Sequence, residues 1–196
     1  MTHVAVLMGG WSAEREVSLD SGKACVQALE RCGYDVTPVD VERNIASVLE
    51  TLRPDVCFNA LHGRYGEDGL IQGILEILAI PYTHSGVLAS SLAMDKPVAK
   101  QLFDAAGLRC ADGRIFSRQE VLDGATYPRP FVIKPLNEGS SVGVTIILEN
   151  ENRNLQDIPW TFGNEVLIET YIPGREIQVA VMGDQALGAV EIRPLG

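Results

Sequence analysis

Four segments of the chain combine residue types and spacings that suit chemistry. The first is Gly9-Gly10-Trp11-Ser12-Ala13-Glu14-Arg15-Glu16-Val17-Ser18. A glycine pair between a strand and a helix start brings backbone N–H groups close to an anionic ligand. The third glycine of G-x-G-x-x-G is absent, however, and G-x-x-x-x-G-K-[ST] occurs nowhere, so neither the dinucleotide fingerprint nor a P-loop is present. Two carboxylates beside the turn, Glu14 and Glu16, suit an ammonium ligand better than a phosphate. They equally fit a helix's first turn, where acidic side chains complement the macrodipole, and spacing leaves both roles open. The second segment, Leu61-His62-Gly63-Arg64-Tyr65-Gly66-Glu67-Asp68-Gly69, follows the third apolar run. In an open parallel sheet, loops at the strand C-termini form the ligand crevice, so His62 opens on the same edge as Glu14. A single histidine is also compatible with a structural role.

The third segment runs Val132-Ile133-Lys134-Pro135-Leu136-Asn137-Glu138-Gly139-Ser140-Ser141-Val142-Gly143-Val144. A lysine ends an apolar strand, and a small-residue loop returns into another. Such a loop can fold over phosphates, with N–H groups and hydroxyls as donors and Lys134 as a point charge, and its composition is that of a lid. A plain hairpin loop leaves a lysine at the end of a buried strand unexplained, so nucleotide binding is favoured. The fourth, Glu165 to Glu176, has a bend at Pro173-Gly174 that can offer backbone groups to an adenine edge and a carboxylate to a ribose; acidic residues on strands usually face solvent, so it is weak alone.

The elements that must position these groups follow from hydrophobic periodicity. Residues 4–8 form a continuous apolar run, as in a strand buried on both faces. Val17, Ser21, Cys25, Ala28 and Cys32 recur at helical spacing, with Gly33 at the C-cap position. Strands are expected over 36–39 and 56–60, and a helix over 45–52 that stops before Pro54. Asp68 can cap a helix to Leu78 with Leu70, Ile71, Ile74, Leu75 and Leu78 buried. This alternation predicts a parallel sheet with helices on both faces. Past residue 95 one helix, about 96–106, precedes strands near 113–116, 131–135, 143–148, 165–170, 175–182 and 186–192, with a hairpin turn at 182–185, so antiparallel pairing is expected. The composition shift divides the chain into residues 1–95 and 96–196.

Bulk properties narrow the function classes. The 196 residues are 46% hydrophobic and 21% charged, ordinary values for a globular chain. Sixteen basic against 26 acidic residues give a net charge of −10, which disfavours nucleic-acid and membrane partners and makes any phosphate site a local exception. No apolar run approaches the roughly 18 residues of a membrane span. The opening Met-Thr-His-Val lacks the basic flank of a signal peptide, and Cys25, Cys32, Cys57 and Cys110 form no C-x-x-C pair. Buried free thiols and a cytoplasmic location are the expectation.

Taken in order, Gly-Gly-x-Ser-Ala-Glu-Arg-Glu-Val-Ser (9–18), Ala-Leu-His-Gly-Arg-x-Gly-Glu-Asp-Gly (60–69), Ser-Gly-Val-x-Ala-Ser-x-x-x-Met-Asp-Lys (85–96) and Lys-Pro-x-x-Glu-Gly-Ser-Ser-Val-Gly (134–143) closely resemble the D-alanine–D-alanine ligases. The resemblance spans essentially all 196 residues. It implies a Rossmann-like parallel-sheet domain followed by a mainly antiparallel α+β ATP-grasp subdomain. It also implies ATP-dependent joining of two D-alanines through an acyl phosphate, for peptidoglycan synthesis. By motif, Glu14 would bind the first D-alanine's ammonium, Ser140 would orient Glu14, and Val17 and His62 would line the substrate crevice. Lys96, Lys134, Glu138, Ser140 and Ser141 would hold ATP phosphates; Glu169, Thr170, Tyr171 and Ile172 would meet adenine, and Glu176 the ribose. Magnesium or manganese, and a homodimer through the first domain, are implied as well.

Three departures from the family pattern stand out. The adenine segment is Glu-Thr-Tyr-Ile, where members often have a basic residue and a tryptophan. The stretch 149–164 is short, and Pro159 would end any helix early. The sequence also stops at Gly196, where the family's mobile loop begins. The metal ligands and an oxyanion-stabilising arginine are therefore expected beyond Gly196, in a further lobe of roughly 100 residues. This chain by itself is accordingly expected to be inactive, and residues 110–196 to show an exposed apolar face, high mobility or pairing with another copy. The alternatives are a related ligase making D-alanyl-D-lactate and a binding-only module.

Overall fold

The computed structural model describes residues 1–125, 127–139, 141–151, 153, 155, 158 and 163–193. Three positions singled out in the sequence, Ser140, Pro159 and the final Gly196, lie outside the described residues. The apolar run near the N-terminus forms β1 (His3–Met8), which lies between β2 (Asp35–Asp40) and β3 (Val56–Asn59) in a parallel sheet of order β2-β1-β3. Successive side chains of a strand point to opposite faces, and β1 feeds two cores accordingly. Val4 and Val6 join Ala60 in a cluster flanked by Cys25, Val26 and Leu29 of α1 (Arg15–Arg31). Ala5 and Leu7 pack with Ile45 and Leu49 of α2 (Ile45–Leu52) and Ile71 and Leu75 of α3 (Leu70–Ile77) on the other face. A strand covered on both sides has no polar face to show, which is why its sequence is apolar throughout.

Helix ends obey local chemistry. Gly33 follows the α1 cap at φ 84°, and Arg53, in left-handed conformation, closes α2 before Pro54. Two expectations need correction at α3. Its N-cap is Gly69, not Asp68, because the Asp68 carboxylate is shared between the Leu70 N–H at 3.2 Å and the Tyr65 N–H at 2.9 Å. Leu70 is 53% exposed, and Gln72 takes the buried position instead. Helix α4 (Val87–Met94) was not foreseen; it buries only Ser90, so no apolar stripe marks it. Helix α5 (Lys96–Ala105) begins as expected, with Asp95 Oδ1 accepting from the Val98 N–H and Pro97 in the first turn.

Beyond α5, β4 (Gly113–Ser117), β5 (Phe131–Pro135), β6 (Thr145–Ile147) and β7 (Glu165–Thr170) form an antiparallel sheet of order β4-β7-β5-β6. The short α6 (Arg118–Leu122), also unforeseen, starts with a capping box in which Ser117 and Glu120 satisfy each other's backbone N–H groups. Phe116, Phe131, Ile133, Ile147, Val166 and Ile168 fill this sheet's core. Strands β8 (Glu176–Met182) and β9 (Gln185–Ile192) form a separate hairpin turning at Gly183-Asp184. Its apolar residues Ile177, Val179, Val181, Val190 and Ile192 are 43–64% exposed, as expected of this region. All four cysteines are free, but Cys32 is exposed rather than buried, because it caps α1 where the chain leaves the core. Cys57 is fully buried, which pushes its thiol up to about 12. Among the described residues no helix is long and apolar enough to cross a membrane.

One packing feature separates two glycines that look alike in sequence. A Cβ at Gly22 in α1 would stand 2.5 Å from both Cβ and Sδ of Met8, whereas one at Gly73 in α3 would meet nothing within 4 Å. Overpacking costs about 1–3 kcal/mol, against about 0.5–1 kcal/mol gained from replacing a mid-helix glycine. Gly22→Ala is therefore expected to lower the thermal midpoint and Gly73→Ala to raise it. Equal shifts in thermal melts would contradict this packing of α1 on β1.

Candidate functional site

The first loop leaves β1 at Gly9 and Gly10, both at positive φ. A Cβ at Gly9 would lie 2.1 Å from Asp40 Oδ1, because that carboxylate reaches across to Arg15. Arg15 makes a two-pronged contact with Asp40, at 2.7 and 2.6 Å, and donates to the Gly10 carbonyl at 2.8 Å. The guanidinium holds the Asp40 carboxyl below its ordinary range. Ser18, fully buried, accepts from the Gly9 N–H and donates to the Ala60 carbonyl, tying the ends of β1 and β3 together. Glu14 is thereby placed at the head of α1, 6% exposed.

The second loop is fixed from beneath. Asn59 Nδ2 and Gln72 Nε2 both donate to the Gly66 carbonyl at 2.9 Å, and the Gly63 N–H donates to Glu67 Oε2 at 2.6 Å. His62 presents Nε2 to Ser21 Oγ of α1 at 3.0 Å, and its carbonyl accepts from Ser12 Oγ at 2.9 Å. Gly63 therefore meets Glu14 closely: a Cβ there would sit 2.5 Å from Glu14 Oε1. The segment after β5 reaches the same carboxylate, since a Cβ on Gly139 would lie 2.9 Å from Glu14 Oε1 and 3.7 Å from Glu67 Oε2.

A cluster of cations lies beside this junction. Strand alternation sends Ile133 and Ile168 into the sheet core and Lys134, Leu167 and Glu169 to the opposite face. Lys96 and Lys100 sit four residues apart on α5 and face that surface. Glu169, 6% exposed, accepts from Lys134 through Oε1 and from Lys100 through Oε2, the latter at 2.7 Å. Burial raises the Glu169 carboxyl, but the hydrogen bonds and charges of Lys100 and Lys134 outweigh it and hold the group below its ordinary range. Lys96 donates to the Glu138 carbonyl at 2.5 Å; burial, with the like charge of Lys134 second, pulls its ammonium below the usual lysine value. Three lysines against one carboxylate line an open cleft of about 350 Å³, so a chain of net charge −10 carries a locally cationic site.

Residues 3–53 and 45–85 match the family described as D-ala D-ala ligase N-terminus, and residues 107–196 match D-ala D-ala ligase C-terminus. The chain belongs to the D-alanine–D-alanine ligase family. It is 59% identical over 194 residues to D-alanine–D-alanine ligase of Methylobacterium radiotolerans, covering 97% of this chain and 63% of that protein. It is 56% identical over 199 residues to D-alanine–D-alanine ligase B of Brucella melitensis biotype 1, covering 99% and 62%. Among solved structures it is similar to D-alanine–D-alanine ligase of Bacillus anthracis complexed with ATP, with a TM-score of 0.81 and 30% identity over 99% of this chain and 67% of that one. The chain thus spans about 62–64% of the length of the curated relatives it matches.

Within this ligase-family chain the expected site residues fall into two connected groups. Glu14 is met by Gly63 and Gly139, with the His62 ring turned to Ser21 beside them, and Lys96, Lys134, the Glu138 carbonyl and Glu169 form the next group. Val17 lies one turn along α1 from Glu14 and is 53% exposed. Ser141 sits at φ 62° on the exposed turn of the segment; Ser140 lies outside the described residues. Thr170 and Tyr171 are tied by backbone hydrogen bonds to Asp112 and Pro130, while Ile172 and Glu176 are exposed. Sequence reasoning missed Lys100, Glu67, Arg15 and Gln72. Glu67 lay inside a quoted motif, and Lys100 stood one helical turn after Lys96, a spacing that was available as a signal. Among the described residues, no group of three or more His, Cys, Asp or Glu converges to hold a metal ion.

The Glu169 ion pairs have a pH signature. A carboxyl whose folded value lies below its ordinary 4.5 contributes stability that is present above that pH and lost as pH falls through the folded value. Glu169→Gln is expected to remove about 1.5–3 kcal/mol at neutral pH, the scale of a hydrogen bond to a charged group. It should also flatten the acid side of the stability profile. Denaturation midpoints measured against pH in both proteins check this; parallel acid limbs would refute it.

Proposed function

We propose that this chain carries the first-substrate site and the ATP-phosphate site of an enzyme that joins two D-alanines at the expense of ATP, for peptidoglycan synthesis. The observation that supports it most is a single link. Glu138 and Gly139 are consecutive, the carbonyl of the first accepting from Lys96 and the Cα of the second lying against Glu14. An ammonium held by Glu14 thus has its own carboxylate within reach of a phosphate held by the lysines. That carboxylate oxygen attacks the γ-phosphorus, the bond to the bridging oxygen breaks, and ADP leaves with the electron pair. The amine of a second D-alanine then attacks the acyl carbon, inorganic phosphate departs, and the amine loses a proton as the peptide bond forms.

In this scheme Glu14 binds and orients the first amino acid, with His62 and Val17 along its crevice, and Ser140 is assigned the role of orienting Glu14. Lys96 and Lys134 offset charge on the transferring group, and Lys100 shares the Glu169 carboxylate with Lys134. Glu138, Ser140 and Ser141 cover the phosphates; Glu169 to Ile172 meet adenine and Glu176 the ribose. A divalent cation, magnesium or manganese, would neutralise phosphate charge when bound; no described residue of this chain is assigned to it, and its ligands are proposed to follow Gly196. We further infer a division at residues 95/96, supported by cores that do not mix across it, together with a cytoplasmic homodimer formed through the first unit.

Phosphate release by the full-length protein with ATP, magnesium and D-alanine tests the reaction; D-alanine-independent turnover would overturn it. Glu14→Gln should raise the first D-alanine KM by roughly 10- to 150-fold, the worth of a charge-assisted hydrogen bond of about 1.5–3 kcal/mol, and leave the ATP KM in place. Lys134→Ala should weaken ATP binding, and Lys134→Arg should recover it only in part, since a guanidinium cannot copy a point charge at a strand end. Calorimetry showing wild-type ATP affinity in the alanine variant would refute the phosphate role.

A further inference from the structure

The loops that carry Glu14 and His62 touch along two edges. One contact is the Ser12–His62 hydrogen bond described above. The other is aromatic: the Trp11 and Tyr65 rings pack with centroids 4.9 Å apart and planes inclined at 46°. Each ring also lies under a guanidinium, Arg43 Cζ standing 5.3 Å from the Trp11 centroid and Arg64 Cζ 5.1 Å from that of Tyr65. The four side chains come from three segments: the turn before α2, the first loop and the second loop. Arg64 also borders, with Asn137 and Glu138, two open clefts beside the 134–143 segment.

Nothing in the core explains why these rings are where they are. Trp11 is 37% exposed. Beneath it and Tyr65 lies a cavity of about 60 Å³ walled by Val41, Ile45, Leu61 and Ile74, so the two rings themselves are not packed tightly from below. Tyr65 moreover holds a left-handed backbone, φ 71°, that a bulky side chain rarely adopts. Its N–H is fixed by Asp68 Oδ2 at 2.9 Å, an arrangement that turns the ring toward Trp11. A strained tyrosine, a half-exposed tryptophan and two arginines over the rings are what a fastening between loops requires, since offset aromatic pairs and cation–π contacts both gain from fixed geometry.

We propose that the Arg43–Trp11–Tyr65–Arg64 stack is a clasp that fixes the first loop on the second and so sets the position of the Glu14 carboxylate, making Trp11 and Tyr65 positioning residues for the first amino-acid substrate. This rests on the substrate role given to Glu14 above. The lever is short: Trp11 is three residues before Glu14, and Tyr65 two after Gly63, whose added Cβ would stand 2.5 Å from Glu14 Oε1. A slip of one loop on the other moves the carboxylate by the same amount, while the lysine cluster on α5 and β5 stays put.

The test uses the full-length protein. Trp11→Ala and Tyr65→Ala are each expected to raise the first D-alanine KM about 3- to 10-fold, the range that an aromatic pair supports. The ATP KM should hold, and the double variant should be no worse than the poorer single. Trp11→Phe, which keeps a ring, should recover most of the loss. Parallel increases in both KM values with a lowered thermal midpoint, or single effects that multiply in the double variant, would overturn the clasp. A second readout does not need catalysis. Trp160 is the other tryptophan of these 196 residues; in a background where it and any further tryptophan of the full-length protein are replaced by phenylalanine, the emission reports Trp11, and Tyr65→Ala or Arg43→Ala should shift it to the red. Unchanged emission refutes the clasp even in an active ligase. A red shift in a protein that releases no phosphate with D-alanine keeps the fastening and overturns its substrate role along with the ligase function.

Discussion

Two backbone segments come against the Glu14 carboxylate, and both do so at a glycine. A methyl group at Gly63 or Gly139 would stand 2.5 or 2.9 Å from Glu14 Oε1, so close that the carboxylate would have to shift. Much of the surrounding architecture follows from this. Ser18 must tie the ends of β1 and β3, Arg15 must bridge to Asp40, and Asn59 and Gln72 must hold Gly66, because a loop free to drift would open the gap and let water solvate the acid. A carboxylate enclosed at 6% exposure is costly to keep charged, so the frame around it has to be held firmly.

The second sheet solves the opposite problem, holding cations together in a chain of net charge −10. Lys100 and Lys134 converge from a helix and a strand on one buried acid, Glu169, whose two oxygens they share. The ammonium groups are thus oriented within the fold itself, and part of the cost of ordering two long side chains is met by folding. Lys96, from the same helix face, uses a backbone carbonyl of the 134–143 segment instead. One helix therefore connects the Glu169 ion pairs to the backbone of the 134–143 segment.

The sequence exposed these parts unevenly. Strand and helix alternation was legible because each element of the first sheet buries a stripe or a run that periodicity detects, and the order of the four motifs identified the family. Helix α4 was not, since VLASSLAM is apolar all around and buries one serine. Helix α6 was legible in principle, through Ser117-x-x-Glu120. Lys100 was hidden for a different reason: a lysine in mid-helix is ordinary, and only the antiparallel register that sets Val132 opposite Glu169, with Lys134 diagonal to it, makes Lys100 part of a site. Glu67 was visible as a residue and invisible as a neighbour of Gly139, because closeness between segments 70 residues apart leaves no trace in spacing.

The doubly accepted hydrogen bond at Gly66 bears on the order of events at the site. With both lone pairs of that carbonyl taken by amides of β3 and α3, the His62–Gly69 loop is referenced to the sheet and keeps its shape when nothing is bound. Any group that approaches Glu14 from solution meets a finished wall on this side. The opposite wall is built differently, because among the described residues the 134–143 segment comes against Glu14 at Gly139. The two sides of the carboxylate thus differ in what holds them, one hydrogen-bonded to strand and helix and the other in contact at a glycine.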